Sequence, residues 1–194
     1  KKSCIVFIME AVKKIQLNKV AKIILISILG TLLLTISAKI KIPFYPVPMT
    51  MQTFVVLFLG ITLGPKIGLL TVSLYLFEGI FGLPVFAGTP EKGIGLIYFT
   101  GPTMGYLIGF LVAAYIAGSF KYNKGTINTF LKLIFSVSFI YILGLIWLGT
   151  LIGWDKPIFK LGAQPFLLAE LFKILLLLFL HTTLLKTKKI KKST

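Results

Sequence analysis

A chain of 194 residues that is 57% hydrophobic, with a mean hydropathy of +0.97, lies outside the soluble globular class and inside the polytopic membrane class. Its charge is lopsided: 21 basic residues, all Lys, face the five acids Glu10, Glu78, Glu91, Asp155 and Glu170, for a net charge of +16. Nucleic acid is a poor partner for this pattern, because the aromatic residues sit in apolar spans rather than among the lysines; lysines that flank membrane spans meet anionic lipid headgroups instead. A lone Cys4 and a lone His181 leave no internal disulfide and no Cys- or His-rich metal site.

Residues 1–19 form a first unit. Lys1 and Lys2 precede a short apolar run that ends at Glu10, and Lys13 and Lys14 follow without a small-residue cleavage site. This reads as a cytoplasmic or interfacial segment. Crossing a hydrocarbon core of ~30 Å takes roughly 20 apolar residues. The spans that approach this are 20–38, 53–63, 67–83, 103–120, 127–151 and 165–185. The second and third are short and separated by the turn Gly64-Pro65-Lys66, while the fourth opens after Gly101-Pro102, a helix-starting arrangement. A basic tail, 186–194, follows the six-helix domain of 20–185.

Lysine placement tests the count. Six helices with both termini cytoplasmic put 15 lysines inside and five outside (Lys39, Lys41, Lys92, Lys156 and Lys160), with Lys173 inside a span. An odd number of helices would send one Lys-rich terminus outside, against the positive-inside rule. The expected fold is thus an all-α integral membrane bundle of six helices.

The outer loops then carry the unusual chemistry. Pro43, Pro46 and Pro48 lock φ and delete backbone donors, so the segment before the second span cannot be helix. Irregular backbone at membrane depth is tolerated where it lines a cavity or is buried in protein. A proline-stiffened loop also loses less entropy on closing over a ligand.

Ionisable groups inside a span demand a reason. Glu170 and Lys173 stand three residues apart on one face of the last helix. Two readings are open: they pair and snorkel to the surface, or they face a cavity that binds a carboxylate-bearing solute. Glu78, near the outer end of the third span, is either a ligand group or an interfacial acid in water. Gln52 and Tyr106 are polar candidates on apolar helices, and Tyr45 and Phe86 are candidates for stacking on a flat ligand or for anchoring at the interface. His181 reads as interfacial. On the first helix Ser27, Thr31 and Thr35 recur every four residues, small enough for another helix to approach; a partner surface and packing within the bundle are both open. No phosphate-binding loop, metal-ligand spacing or nucleophilic triad occurs, so the chain is read as neither an ATPase nor any other enzyme, and uphill movement of a solute would draw on a partner or an ion gradient.

Four runs in order, Val47-Pro-Met-Thr-Met-Gln-Thr53, Leu63-Gly-Pro-Lys-Ile-Gly68, Gly79-Ile-Phe-Gly-Leu-Pro-Val-Phe-Ala-Gly88 and Thr100-Gly-Pro-Thr-Met-Gly-Tyr-Leu-Ile-Gly-Phe110, closely resemble the BioY family of biotin-binding S subunits of energy-coupling-factor (ECF) transporters. The resemblance spans residues 20–185 or so. It implies an S-component bundle in the bacterial plasma membrane that captures biotin from outside, with a transmembrane coupling subunit and two ATPase subunits supplying energy and no cofactor. It also implies a role for Glu170 and Lys173, because the family carries an Asp-x-x-Lys pair after a Pro-Phe, matched here by Pro165-Phe166. The acid in this chain is one methylene longer, Met104 stands where Gly is common, and hydroxyl residues replace the family's alanines on the first helix. On the residues alone the pair suits biotin chemistry in two ways: a carboxylate, Glu170 or Glu78, accepting ureido N–H bonds, and Lys173 either meeting the valerate or ordering Glu170. The alternative class is an autonomous secondary transporter of biotin or another small carboxylated vitamin.

Overall fold

The structure, a computed structural model, describes residues 19–43, 45–122 and 125–193; the segment read from 1 to 18 lies outside the described residues. Uniformly apolar sequence closes its backbone hydrogen bonds within each helix, as hydrocarbon requires. α1 (Lys19–Lys39) leads to a two-stranded antiparallel hairpin, β1 (Lys41–Ile42) and β2 (Met49–Thr50), which pairs Lys41 with Thr50 and Ile42 with Met49. α2 (Gln52–Ile80), α3 (Met104–Ser119), α4 (Thr126–Ile152), a one-turn α5 (Ile158–Gly162) and α6 (Leu167–Ser193) follow. 3-10 turns at Gly95–Thr100 and Gln164–Phe166 lead into α3 and α6. The hairpin and the first of these turns fall in segments that the sequence reads as outer loops, whereas the second takes the first two residues of the expected sixth span, 165–185.

α2 is one element in name and two helices in fact. At Gly64 φ is +80° and ψ 175°, a left-handed excursion that favours glycine, and Pro65 starts the returning arm. The arms 52–63 and 65–80 fold back so closely that a Cβ on Gly68 would stand 3.1 Å from the Gly60 Cα. The break falls in the expected turn, and counting each arm makes six membrane helices. With a rise of ~1.5 Å per residue, the 12-residue arm 52–63 reaches only ~18 Å, well short of the core thickness. Its Gln52 end, and the hairpin before it, are therefore carried to membrane depth.

α3 lies between the α2 arms and α4, and α6 packs on α4 and α2. α1 packs chiefly on α2 and turns Ile24, Ile28, Leu32 and Ile36 outwards, as a lipid-facing surface does. A Cβ on Gly60 would come 2.6 Å from the Ala114 carbonyl oxygen, so this glycine lets α3 approach closely. Gly60→Val is expected to lower the stability of the detergent-purified protein by about 1–3 kcal/mol through overpacking. An unchanged thermal midpoint would show that the interface can yield there.

Candidate functional site

The last helix begins with its own anion site. Glu170 sits in the first turn of α6, where the helix dipole favours a carboxylate, and Lys173 lies one turn on. Both are buried, at 5% and 4% exposure, and their charged atoms meet at 2.6 Å. Burial at this depth is tolerated because the bonds are nearly complete. The Lys173 ammonium donates to Glu170 Oε1 at 2.6 Å, to Thr53 Oγ1 at 3.0 Å and to the Thr50 carbonyl at 2.7 Å. Thr53 in turn donates to Glu170 Oε1 at 2.8 Å. One polar knot thus joins α6, the first turn of α2 and β2. Pairing is what the first sequence reading expected, but the pair is buried rather than snorkelling.

Glu170 Oε2 is the exception: it is buried and has no hydrogen-bond partner. The Tyr141 hydroxyl hydrogen-bonds to the same carboxylate. Buried carboxylate oxygens without a donor are costly, and such a group in a native structure calls for a missing partner.

That partner has a place. Glu170, Lys173, Gln52 and Thr53 line a small cavity of about 50 Å³, below the ~300–1,000 Å³ usual for small-molecule sites, so its walls must part to admit a solute. Its wall continues through Tyr98, Tyr106, Phe110, Ile140, Tyr141 and Phe166, and the hairpin residues Val47, Pro48 and Met49 close one side. Most polar atoms around it are already employed. Gln52 Nε2 donates to the Tyr75 hydroxyl at 2.7 Å, and Tyr75 donates to the Val85 carbonyl at 3.0 Å. Tyr106 donates to the Gly162 carbonyl at 2.7 Å, and Tyr98 to the Ala87 carbonyl at 2.9 Å. Burial pushes the Tyr98 hydroxyl above its usual range, which keeps it a donor.

The loop 82–100 is gripped by Tyr75 and Lys39 and tied across itself by Tyr98. Besides Tyr75 and Tyr98, the Lys39 ammonium at the end of α1 donates to the Phe86 and Thr89 carbonyls, both at 3.2 Å, and to Thr89 Oγ1 at 3.1 Å. A flat wall results, with Ala87 on the cavity and Phe86 behind it.

Of the residues singled out in the sequence, Gln52, Tyr106, Glu170 and Lys173 converge on the cavity. Phe86 does not line it: the ring is 1% exposed and stacks on Tyr98 at 4.7 Å, one layer back. Tyr45 stands out from the hairpin at 92% exposure, and Glu78 instead accepts a hydrogen bond from Thr31 at 2.9 Å. Ser27 and Thr31 are buried against the second arm of α2, Ser27 within 3.3 Å of Thr71 Oγ1, while half-buried Thr35 donates to the Thr31 carbonyl. The stripe therefore packs inside the bundle, because small hydroxyl side chains let α1 approach α2; that leaves its outer face apolar. His181 makes an edge contact with Tyr122, 5.4 Å between ring centroids. Sequence reasoning passed over Thr53, Tyr98 and Tyr141. Tyr141 carried a signal, a hydroxyl mid-way along an apolar span, whereas Thr53 becomes telling only once α6 is placed against α2.

A six-helix membrane bundle with a hairpin folded over a buried, ion-paired cavity defines a class: a membrane protein built to hold a small solute. Residues 9–189 match the BioY family, and the chain belongs to that family. It is similar to a probable biotin transporter BioY of Pyrococcus horikoshii, at 37% identity across 73% of this chain and 82% of the relative. The biotin transporter BioY of Thermotoga maritima is 36% identical across 74% of this chain and 84% of its own. Among solved structures, the fold resembles the S-component for biotin from an ECF-type ABC transporter, with a TM-score of 0.72 and 26% identity over 89% of this chain and 95% of that one.

Proposed function

We propose that this chain captures biotin outside the cell and passes it across the plasma membrane as the substrate-specific subunit of an ECF transporter. Both termini face the cytoplasm in this reading, which puts the hairpin and the loop 82–100 outside and the lysine-rich ends inside. The observation that carries it is the buried Glu170 carboxylate on the cavity wall, whose Oε2 takes no part in the bonds to Lys173 and Thr53. Biotin's ureido ring is a flat, neutral N–H donor, and its bicycle is apolar. An N–H bond to Oε2 is charge-assisted and stronger than a neutral one. Phe110, Ile140 and Phe166 supply an apolar surface for the bicycle, and Met49 a polarisable contact for its sulfur.

The chain's own residues hold and orient the solute; they supply no energy. A transmembrane coupling subunit and two ATPase subunits complete the transporter. In cells lacking other biotin uptake, the chain with those subunits is expected to accumulate labelled biotin against a gradient. Equal accumulation with inactive ATPase subunits would favour the autonomous secondary transporter instead.

A further inference from the structure

A second hollow lies on the other side of the hairpin from the solute cavity. A groove of about 540 Å³ runs between the hairpin and the first turns of α6. Ile40, Ile42 and Met51 line one side, and Leu168, Ala169 and Phe172 the other. The surface is almost wholly apolar, and Ile40, Ile42, Leu168 and Phe172 are exposed along it. Because the short first arm of α2 carries the hairpin to membrane depth, the groove opens on the bilayer. An apolar hollow of this size stays dry and takes up hydrocarbon rather than water.

Charge and width choose the occupant. Lys41 and Lys173 are the charged residues among those described along the groove, and no acid stands with them. Lys173 is fully engaged by Thr50, Thr53 and Glu170. Exposed Lys41 has no ion pair among the described residues, so its ammonium is open to an anion. A helix is about 10 Å across, and the groove would seat little more than one turn of one. A single acyl chain is thin enough to lie along it.

We propose that the groove is a lipid site, in which one acyl chain of an anionic phospholipid lies between the hairpin and α6 with its phosphate on Lys41. The stem of such a lysine covers apolar surface while its charged head reaches the headgroup layer. The site is distinct from the solute cavity, yet the two share Met49, Thr50 and Lys173 as a common wall. A chain in the groove therefore braces the hairpin from the lipid side.

Native mass spectrometry of the full chain, titrated in detergent with phosphatidylglycerol or phosphatidylcholine of the same acyl chains, tests this. The wild type is expected to hold one phosphatidylglycerol about fivefold more tightly than phosphatidylcholine, the ratio that one lysine near a headgroup gives. Lys41→Glu should abolish that preference. Ala169→Trp, which fills the groove, should weaken both lipids at least about tenfold. Lys92→Ala, a change at an exposed lysine outside the groove, should alter neither. A preference that survives Lys41→Glu, or a lipid that stays on Ala169→Trp, would overturn the site. So would a wild type with no bound lipid, or a dimer that disappears in Ala169→Trp, which would give the groove to a second copy of the chain. Should Ala169→Trp fail to fold, Lys41→Glu and Lys92→Ala, both at exposed positions, still decide.

Discussion

Lys173→Met is expected to be the most damaging single change in the membrane domain, lowering stability by about 3–5 kcal/mol, because it strands a buried carboxylate without its counter-ion. The reason lies in how the knot is shared. Glu170 Oε1, almost fully buried, would keep only the Thr53 hydroxyl, and the carbonyl of half-buried Thr50 would lose its donor. Adding Glu170→Gln to Lys173→Met removes the stranded charge, and most of the lost stability should return. Biotin binding should not return, since the acceptor would no longer be charged and β2 would remain untied from α6. Thermal unfolding in detergent and a binding titration on the same preparations check both halves. If the double variant regains binding, the pair is structural only and the cavity's recognition lies elsewhere.

The membrane helices were legible in the sequence because each rests on a local property. Apolar length located the spans, and the left-handed φ that Gly64 can adopt, followed by Pro65, located the break between the second and third. The site was legible in part. Glu170 and Lys173 stood out since a charge in hydrocarbon needs a reason, and their three-residue spacing put them on one face. What sequence could not give was the partner across 117 residues, Thr53, whose hydroxyl is ordinary until the two helices meet. Phe86 and Tyr45 show the same limit from the other side. Both are aromatic residues in segments between the spans, yet packing drew one into the core behind Tyr98 and left the other in the open. For the Ser27/Thr31/Thr35 stripe the sequence left a partner surface and packing within the bundle both open, because periodicity does not name the helix that approaches. The second arm of α2 takes that place, through Thr71 and Glu78. The hairpin went unread because strands of two residues leave no alternation to detect.

Glu170→Gln is expected to weaken biotin binding about 2- to 30-fold while disturbing the fold less than any change at Lys173. A hydrogen bond to a charged acceptor contributes roughly 1.5–3 kcal/mol, against about 1 kcal/mol for a neutral one, and each 1.4 kcal/mol is a factor of ten. Gln keeps the length of Glu and still accepts through its amide oxygen, but that oxygen can serve either the Thr53–Lys173 side or the ligand, not both. The amide nitrogen would then face whichever side is left: a lysine ammonium, or the ligand's own N–H. Either placement sets donor against donor inside the cavity. Glu170→Asp tests the same geometry by length rather than charge. Asp keeps the charge but withdraws the carboxylate by one methylene, so it should either reach Lys173 or reach the ligand poorly. Titrating both variants with biotin, beside their thermal midpoints, separates the two causes. A Gln variant that binds as tightly as the wild type would show that the unpaired Oε2 is not where the ureido ring is held, and would shift recognition to the tyrosine hydroxyls of the wall.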